Sequence, residues 1–158
     1  MLVFFGLFGL MIWGKSAQTD SLPASENTNA TSSLSVVGKS AYDFGVISMK
    51  NGKVKHRFTI TNPTSKAVML KTVVTSCMCT KAYVYGGTET KGPFGMLGMG
   101  YVPSADEIIK PGESREIEAE FDPNAHGPAG VGPIARAVTL TEESGGIIEF
   151  NFKAEVTP

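Results

Sequence analysis

The chain has 158 residues, the size of a single domain, and its 14 Lys and Arg against 15 Asp and Glu leave it nearly neutral. No basic run is interleaved with aromatics, so the electrostatic footprint of a nucleic-acid binder is missing. Two cysteines are too few for a disulfide scaffold.

Residues Met1 to Gly14, MLVFFGLFGLMIWG, form an uninterrupted apolar segment. As a helix it would reach about 21 Å, short of the roughly 30 Å hydrocarbon core. That length suits the apolar part of a signal peptide, but no positive residue precedes it and Lys15 intrudes on a small-residue cleavage site. We expect 1–14 to be a signal peptide or membrane anchor, with retention favoured over cleavage. The polar residues 15–40 cannot bury enough apolar surface to offset their ordering entropy and read as a flexible linker. Asn29 to Thr31 fits the three-residue pattern of a glycosylation acceptor.

From Ala41 onward the hydrophobic period is two. Tyr42 and Phe44 belong to a first strand ending near Ile47. In VKHRFTI, Val54, His56, Phe58 and Ile60 share one face, and Lys55, Arg57 and Thr59 the other. REIEAEF places Ile117, Ala119 and Phe121 inward and Glu116, Glu118 and Glu120 outward, and IEFNFKAEV alternates likewise. Between these lie KAVMLKTVV (66–74), TKAYVY (80–85) and IARAVTL (134–140), rich in β-branched or aromatic residues. Turn residues separate them at KNG, NPTS, KPGE and ESGG. The pattern predicts an all-β fold over 41–158, an immunoglobulin-like β-sandwich of about seven antiparallel strands. A stretch of about 115 residues buries roughly two-thirds of its unfolded surface, enough to fold without a staple.

YDFGVI, GKVKHRFTITNPTSKAV, SCMCT and IIKPGESREIEAEFDP, in that order, resemble the bacterial family catalogued as domain of unknown function 1573. That family is immunoglobulin-like and similar to hydin and major sperm protein-type modules. The resemblance covers about residues 41–156 and implies an extracytoplasmic β-sandwich. The Gly- and Met-containing stretch 86–104 is an insertion beyond what a minimal member needs.

Both cysteines fall in TSCMCTK, as Cys77 and Cys79. In a sandwich with alternating strands, SCMCT shares an end with the loop DPNAHGPAGVGP, which carries His126. The insertion has to descend to the same end, carrying Met96 and Met99. Cys77, Cys79, Met96, Met99 and His126 are therefore candidate metal ligands. Soft thiolate and thioether donors select Cu(I), and zinc lacks an evident fourth protein ligand. Two other readings of the cysteines stand beside this one: buried packing as small hydrophobes, and a redox pair. On an extended strand the two would lie about 6.5 Å apart, at the far limit for a disulfide.

His56 lies on an apolar face and reads as a core residue; Asp43 and Asp122 sit where they would anchor backbone amides. The sequence shows no Gly-x-Ser-x-Gly elbow, no His-Glu-x-x-His and no paired acid and base, so an enzyme is not expected. The expected function is a membrane-tethered or exported extracytoplasmic module that binds a protein partner. The alternative is an extracytoplasmic Cu(I)-binding protein, with Cu(I) the sole candidate cofactor. A thiol oxidoreductase is a third possibility.

Overall fold

The computed structural model describes residues 31–158. It contains β1 (Ser35–Val37), β2 (Ala41–Ser48), β3 (Val54–Thr61), β4 (Val68–Thr75), β5 (Thr80–Tyr85), β6 (Lys91–Phe94), β7 (Ser104–Ile109), β8 (Ser114–Phe121), β9 (Gly132–Glu142) and β10 (Ile147–Thr157). Short 3-10 turns occupy Met49–Asn51 and Gly127–Gly130. One five-stranded sheet has the order β1-β3-β8-β5-β6 and the other β2-β10-β9-β4-β7.

The all-β class holds, but the strand count is ten rather than about seven. The strands beyond the seven are β7, β1, three residues long, and β6, whose KGPF contains both strand breakers. Each lies at a sheet edge, where a missing N–H does no harm to the ladder. Nor are all pairs antiparallel: β2 runs parallel to β10, with Tyr42 opposite Phe152 and Ile47 opposite Val156. The proposed anchor at 1–14, the linker up to residue 30 and Asn29 lie outside the described residues. Among the described residues, no helix is long and apolar enough to cross a membrane. Ser32 to Val37, part of the stretch read as linker, belong to the sandwich. Leu34 is buried in the core, and Val36 pairs with Ile60.

The inward faces are those the alternation gives. Phe58 stacks on Phe150 with ring centroids 4.4 Å apart, and Phe44 meets Phe152 edge-on. Ile60, Leu70, Ile117, Val138 and Leu140 complete the layer between the sheets. His56 is half-buried there, stacked on Tyr42 and edge-on to Phe58. Burial pushes its pKa down, so it is held as neutral imidazole, as a core histidine should be.

Glu118 and Glu120 point outward from β8 as expected, yet both are buried. β8 is the central strand of its sheet, and long side chains of its neighbours close over it. Lys55 reaches both carboxylates at 3.1 and 2.9 Å, Lys53 reaches Glu120 at 3.0 Å and Arg57 reaches Glu118 at 2.8 Å. Each buried charge is thereby paired, the condition under which a carboxylate tolerates such a place.

Strand directions decide what meets at each end. β3 runs up from Asn51, β4 down, β5 up, β6 down, β7 up, β8 down and β9 up. One end therefore collects the Met49–Asn51 turn, the 76–79 turn, residues 95–103 and the 122–131 loop. Residues 31–34 lie at the other end. There Ser32 and the Leu34 N–H both donate to the Glu142 carboxylate.

Candidate functional site

The turn joining β4 to β5 is built by Thr75, buried at the end of β4. Its hydroxyl donates to the carbonyls of Cys77 and Thr80, each at 3.1 Å, and the Thr80 N–H closes the turn on Cys77 O at 3.1 Å. The cysteines thus lie in a tight turn and not on the extended strand that sets a 6.5 Å spacing. This curls the Cys79 N–H toward Cys77 Sγ, to which it donates at 3.4 Å. Both thiols are free; Cys79 is buried and Cys77 half-buried.

The 122–131 loop is bound to the same turn. The Asp122 N–H donates to Cys79 O at 2.9 Å, and the Asp122 carboxylate caps the Asn124 N–H at 2.9 Å. Asn124 reaches across to Met49 O at 2.9 Å. A Cβ on Gly130 would stand 3.2 Å from Pro123 O and 3.4 Å from His126 Cβ, so the loop doubles back where a side chain would crowd it. The loop delivers His126, whose Nε2 lies 3.2 Å from Cys77 Sγ. Ligand atoms of Cys77, Cys79 and His126 all fall within 4.8 Å of one another.

A fourth residue enters that the sequence pattern did not reveal. Arg136, on β9, donates from Nε to Cys79 Sγ at 3.2 Å. The register that brings it there is set where Ser76 N–H bonds Ala137 O at 3.0 Å and Ser76 Oγ accepts from the Ala137 N–H at 2.9 Å. An arginine in an alternating strand reads as an outward solvated charge, and no local motif links positions 79 and 136.

The charges around the thiols divide them. Burial pushes Cys77 upward, but hydrogen bonds from the Cys79 side chain, the Cys79 amide and His126, with the Arg136 charge, outweigh it and bring Cys77 down to about 7. Cys79 goes up, through burial and the neighbouring Cys77, in spite of the Arg136 and Thr80 hydrogen bonds. The pair therefore offers one ready thiolate and one that ionises when a cation or electrophile repays the loss of its proton.

The insertion reaches the cysteine end, as the strand directions require. Thr75 N–H donates to Gly95 O at 3.2 Å, and Tyr101 packs against Gly95. Met96 and Met99 follow in a turn closed by Met99 N–H on Met96 O at 3.3 Å, and Met99 is exposed. The Thr75 amide points to the insertion and the Ser76 amide to β9, so the insertion and β9 meet the end of β4 on opposite sides. Of the five candidate ligands, Cys77, Cys79 and His126 form the cluster; Met96 and Met99 share its end of the sandwich.

Residues 36–101 match the model of the family described as Protein of unknown function (DUF1573), which bears out the resemblance carried by the motifs. No curated protein matches the chain. Among solved structures it is similar to a protein of unknown function from Porphyromonas gingivalis W83, at 18% identity and TM-score 0.54, over 82% of this chain and 51% of that one. It is also similar to a family 123 glycoside hydrolase from Clostridium perfringens, at 11% identity and TM-score 0.53, over 76% of this chain and 23% of that one. A third likeness is to the ASH/PapD-like domain of human CEP192, at 10% identity and TM-score 0.46, covering 80% and 87%. The chain spans about half the length of the Porphyromonas protein and about a quarter of the hydrolase. At these identities the first two likenesses concern the fold alone.

Proposed function

We propose that this domain is a non-catalytic, extracytoplasmic module that binds Cu(I) through Cys77, Cys79 and His126. The observation that carries the reading is the convergence of the three ligand atoms within 4.8 Å from two loops 49 residues apart. Two sulfurs and an imidazole are a soft donor set, and soft donors select Cu(I). Three donors satisfy a low-coordinate ion, whereas structural zinc takes four. Among the described residues no carboxylate joins the cluster to supply the fourth. The turn is built in advance, with the Cys79 amide already donating to Cys77 Sγ, and such a bond to a ligating sulfur orients it and tempers its charge. The apolar stretch at 1–14 supports export and a membrane tether, and outside the cytosol such a site would meet copper. The first described residues lie at the end of the sandwich opposite the thiols.

The test is an anaerobic titration of the chain with Cu(I) against a coloured bidentate chelator. The expected result is one equivalent withheld from the chelator by the natural sequence and released by the Cys77→Ser/Cys79→Ser double variant. Equal release from both would overturn the reading.

Capture of a protein partner is a second reading, and one observation favours it. Met78, Leu97, Met99, Val102 and Val131 are exposed apolar side chains borne by the loops of the cysteine end. Such a rim suits contact with another protein. On that reading the double serine variant keeps its partner, while charged substitutions at Leu97 and Val131 lose it.

A further inference from the structure

We propose that Arg136 decides which metal the Cys77–Cys79–His126 cluster accepts, placing a permanent positive charge beside the thiolates and so favouring a monovalent soft ion over a divalent one. The inference rests on the Cu(I) reading above. The guanidinium is held on two sides: Nε donates to Cys79 Sγ at 3.2 Å, and Nη1 donates to Ala135 O at 2.7 Å. It projects from β9, which pairs with β10 on one side and β4 on the other, so its base does not swing. A guanidinium does not lose its proton in a protein, and its charge is therefore a fixed feature of the site.

Charge arithmetic follows. With both cysteines ligating as thiolates the donors contribute −2, a ligating imidazole contributes nothing and Arg136 contributes +1, so the cluster carries −1 apart from the metal itself. A monovalent ion brings the cluster to neutrality. A divalent ion leaves a net +1 in a partly buried place, with the metal pressed against a like charge.

Coordination acts in the same direction. Zinc takes a fourth donor, which here would have to be water, and the group standing at Cys79 is a cation that cannot ligate. Removing the charge while keeping the thiols should lift both handicaps from zinc. By Coulomb's law at the distances of neighbouring side chains, the Cu(I)-to-Zn(II) preference should then fall by about tenfold or more.

The experiment equilibrates the full chain anaerobically with equal Cu(I) and Zn(II), removes unbound metal and measures both by mass spectrometry. The natural sequence is compared with Arg136→Lys, Arg136→Gln and Arg136→Thr, the last chosen because threonine suits a strand if glutamine disturbs folding. The expected result is a retained copper preference in the lysine variant and a fall of about tenfold or more in either folded neutral variant. An unchanged ratio in a neutral variant that melts like the natural chain would overturn the role of Arg136 alone. A natural chain that holds no Cu(I) would overturn the site itself, and this inference with it.

Discussion

Nε2 of His126 lies 3.2 Å from Sγ of Cys77, although 49 residues separate them, because β8 runs down to the end where the β4–β5 turn reverses the chain. His126 is exposed and Cys79 is buried, so the three ligands should not be equal. We expect Cys77→Ser or Cys79→Ser each to abolish Cu(I) retention against the chelator, and His126→Ala to weaken it on the order of tenfold. Met96→Leu and Met99→Leu should leave it unchanged, since the insertion that carries them joins β4 on the side away from β9. Chelator competition on the five variants checks the order; a methionine variant that loses copper while His126→Ala keeps it would exchange their roles.

Asn62 presents a second expectation, one of stability. It is fully buried, and its Nδ2 donates to Lys66 O at 2.7 Å and to Ile109 O at 2.8 Å, while Oδ1 accepts from the Thr64 amide and hydroxyl. One side chain thereby satisfies two turn carbonyls and pins the β3–β4 connection to the end of β7. Asn62→Ala removes its hydrogen bonds to the Lys66 and Ile109 carbonyls and to Thr64 in the interior. The loss should be about 2–3 kcal/mol, read as a lower midpoint in urea with an unchanged slope.

Different physical terms explain what the sequence revealed and what it concealed. Alternation identifies Phe58, Ile117 and Phe150 as inward because a period of two has one physical meaning on a half-buried strand. Topology then brings the histidine loop and the insertion to the cysteine end, since strand directions alternate regardless of side-chain detail. The geometry of Cys77 and Cys79 was not legible, because the hydroxyl of Thr75 bends the segment into a turn by bonds to backbone carbonyls that no local pattern encodes. Arg136 was hidden for a related reason. Its position in IARAVTL looks solvated, and only the β4–β9 register carries it to Cys79. The alternation points Glu118 and Glu120 outward, as they are. Their burial comes from being on the central strand, a fact about neighbours that the alternation cannot contain.

Glu142 links stability to pH. Burial by itself raises its pKa, but donors from Ser32, the Leu34 amide, Ser144 and Ser33 outweigh that and hold the carboxyl below its ordinary value. A carboxylate depressed in the folded state contributes stability that is complete above its unfolded pKa, about 4.5, and is lost as pH falls through the lower folded value. The strap at residues 32–34 should therefore loosen in acid before the sandwich melts. Hydrogen exchange at the Leu34 amide should accelerate, relative to its intrinsic rate, as pH drops below about 4.5. Glu142→Gln should show the looser strap already at neutral pH; equal protection of Leu34 in both chains would sink the assignment.

Cys77 and Cys79 should also differ in reactivity, and pH separates them. The nucleophile is the thiolate, so alkylation rate follows its fraction. For Cys77, brought down to about 7, half the thiol is ionised near neutrality, whereas a free cysteine at that pH is only a few per cent thiolate. Lowering the pH from 8 to 6 should then slow Cys77 alkylation along a curve centred near 7. Cys79 is buried and its pKa is raised, so it should remain almost unmodified over that range. Arg136→Gln removes a charge that favours the Cys77 thiolate and should move the curve upward, as should His126→Ala through the lost hydrogen bond. Timed alkylation with peptide mapping by mass spectrometry measures each site. A Cys77 curve centred at the free-thiol value, or a Cys79 that reacts first, would show that the cluster does not bias the pair as its geometry requires.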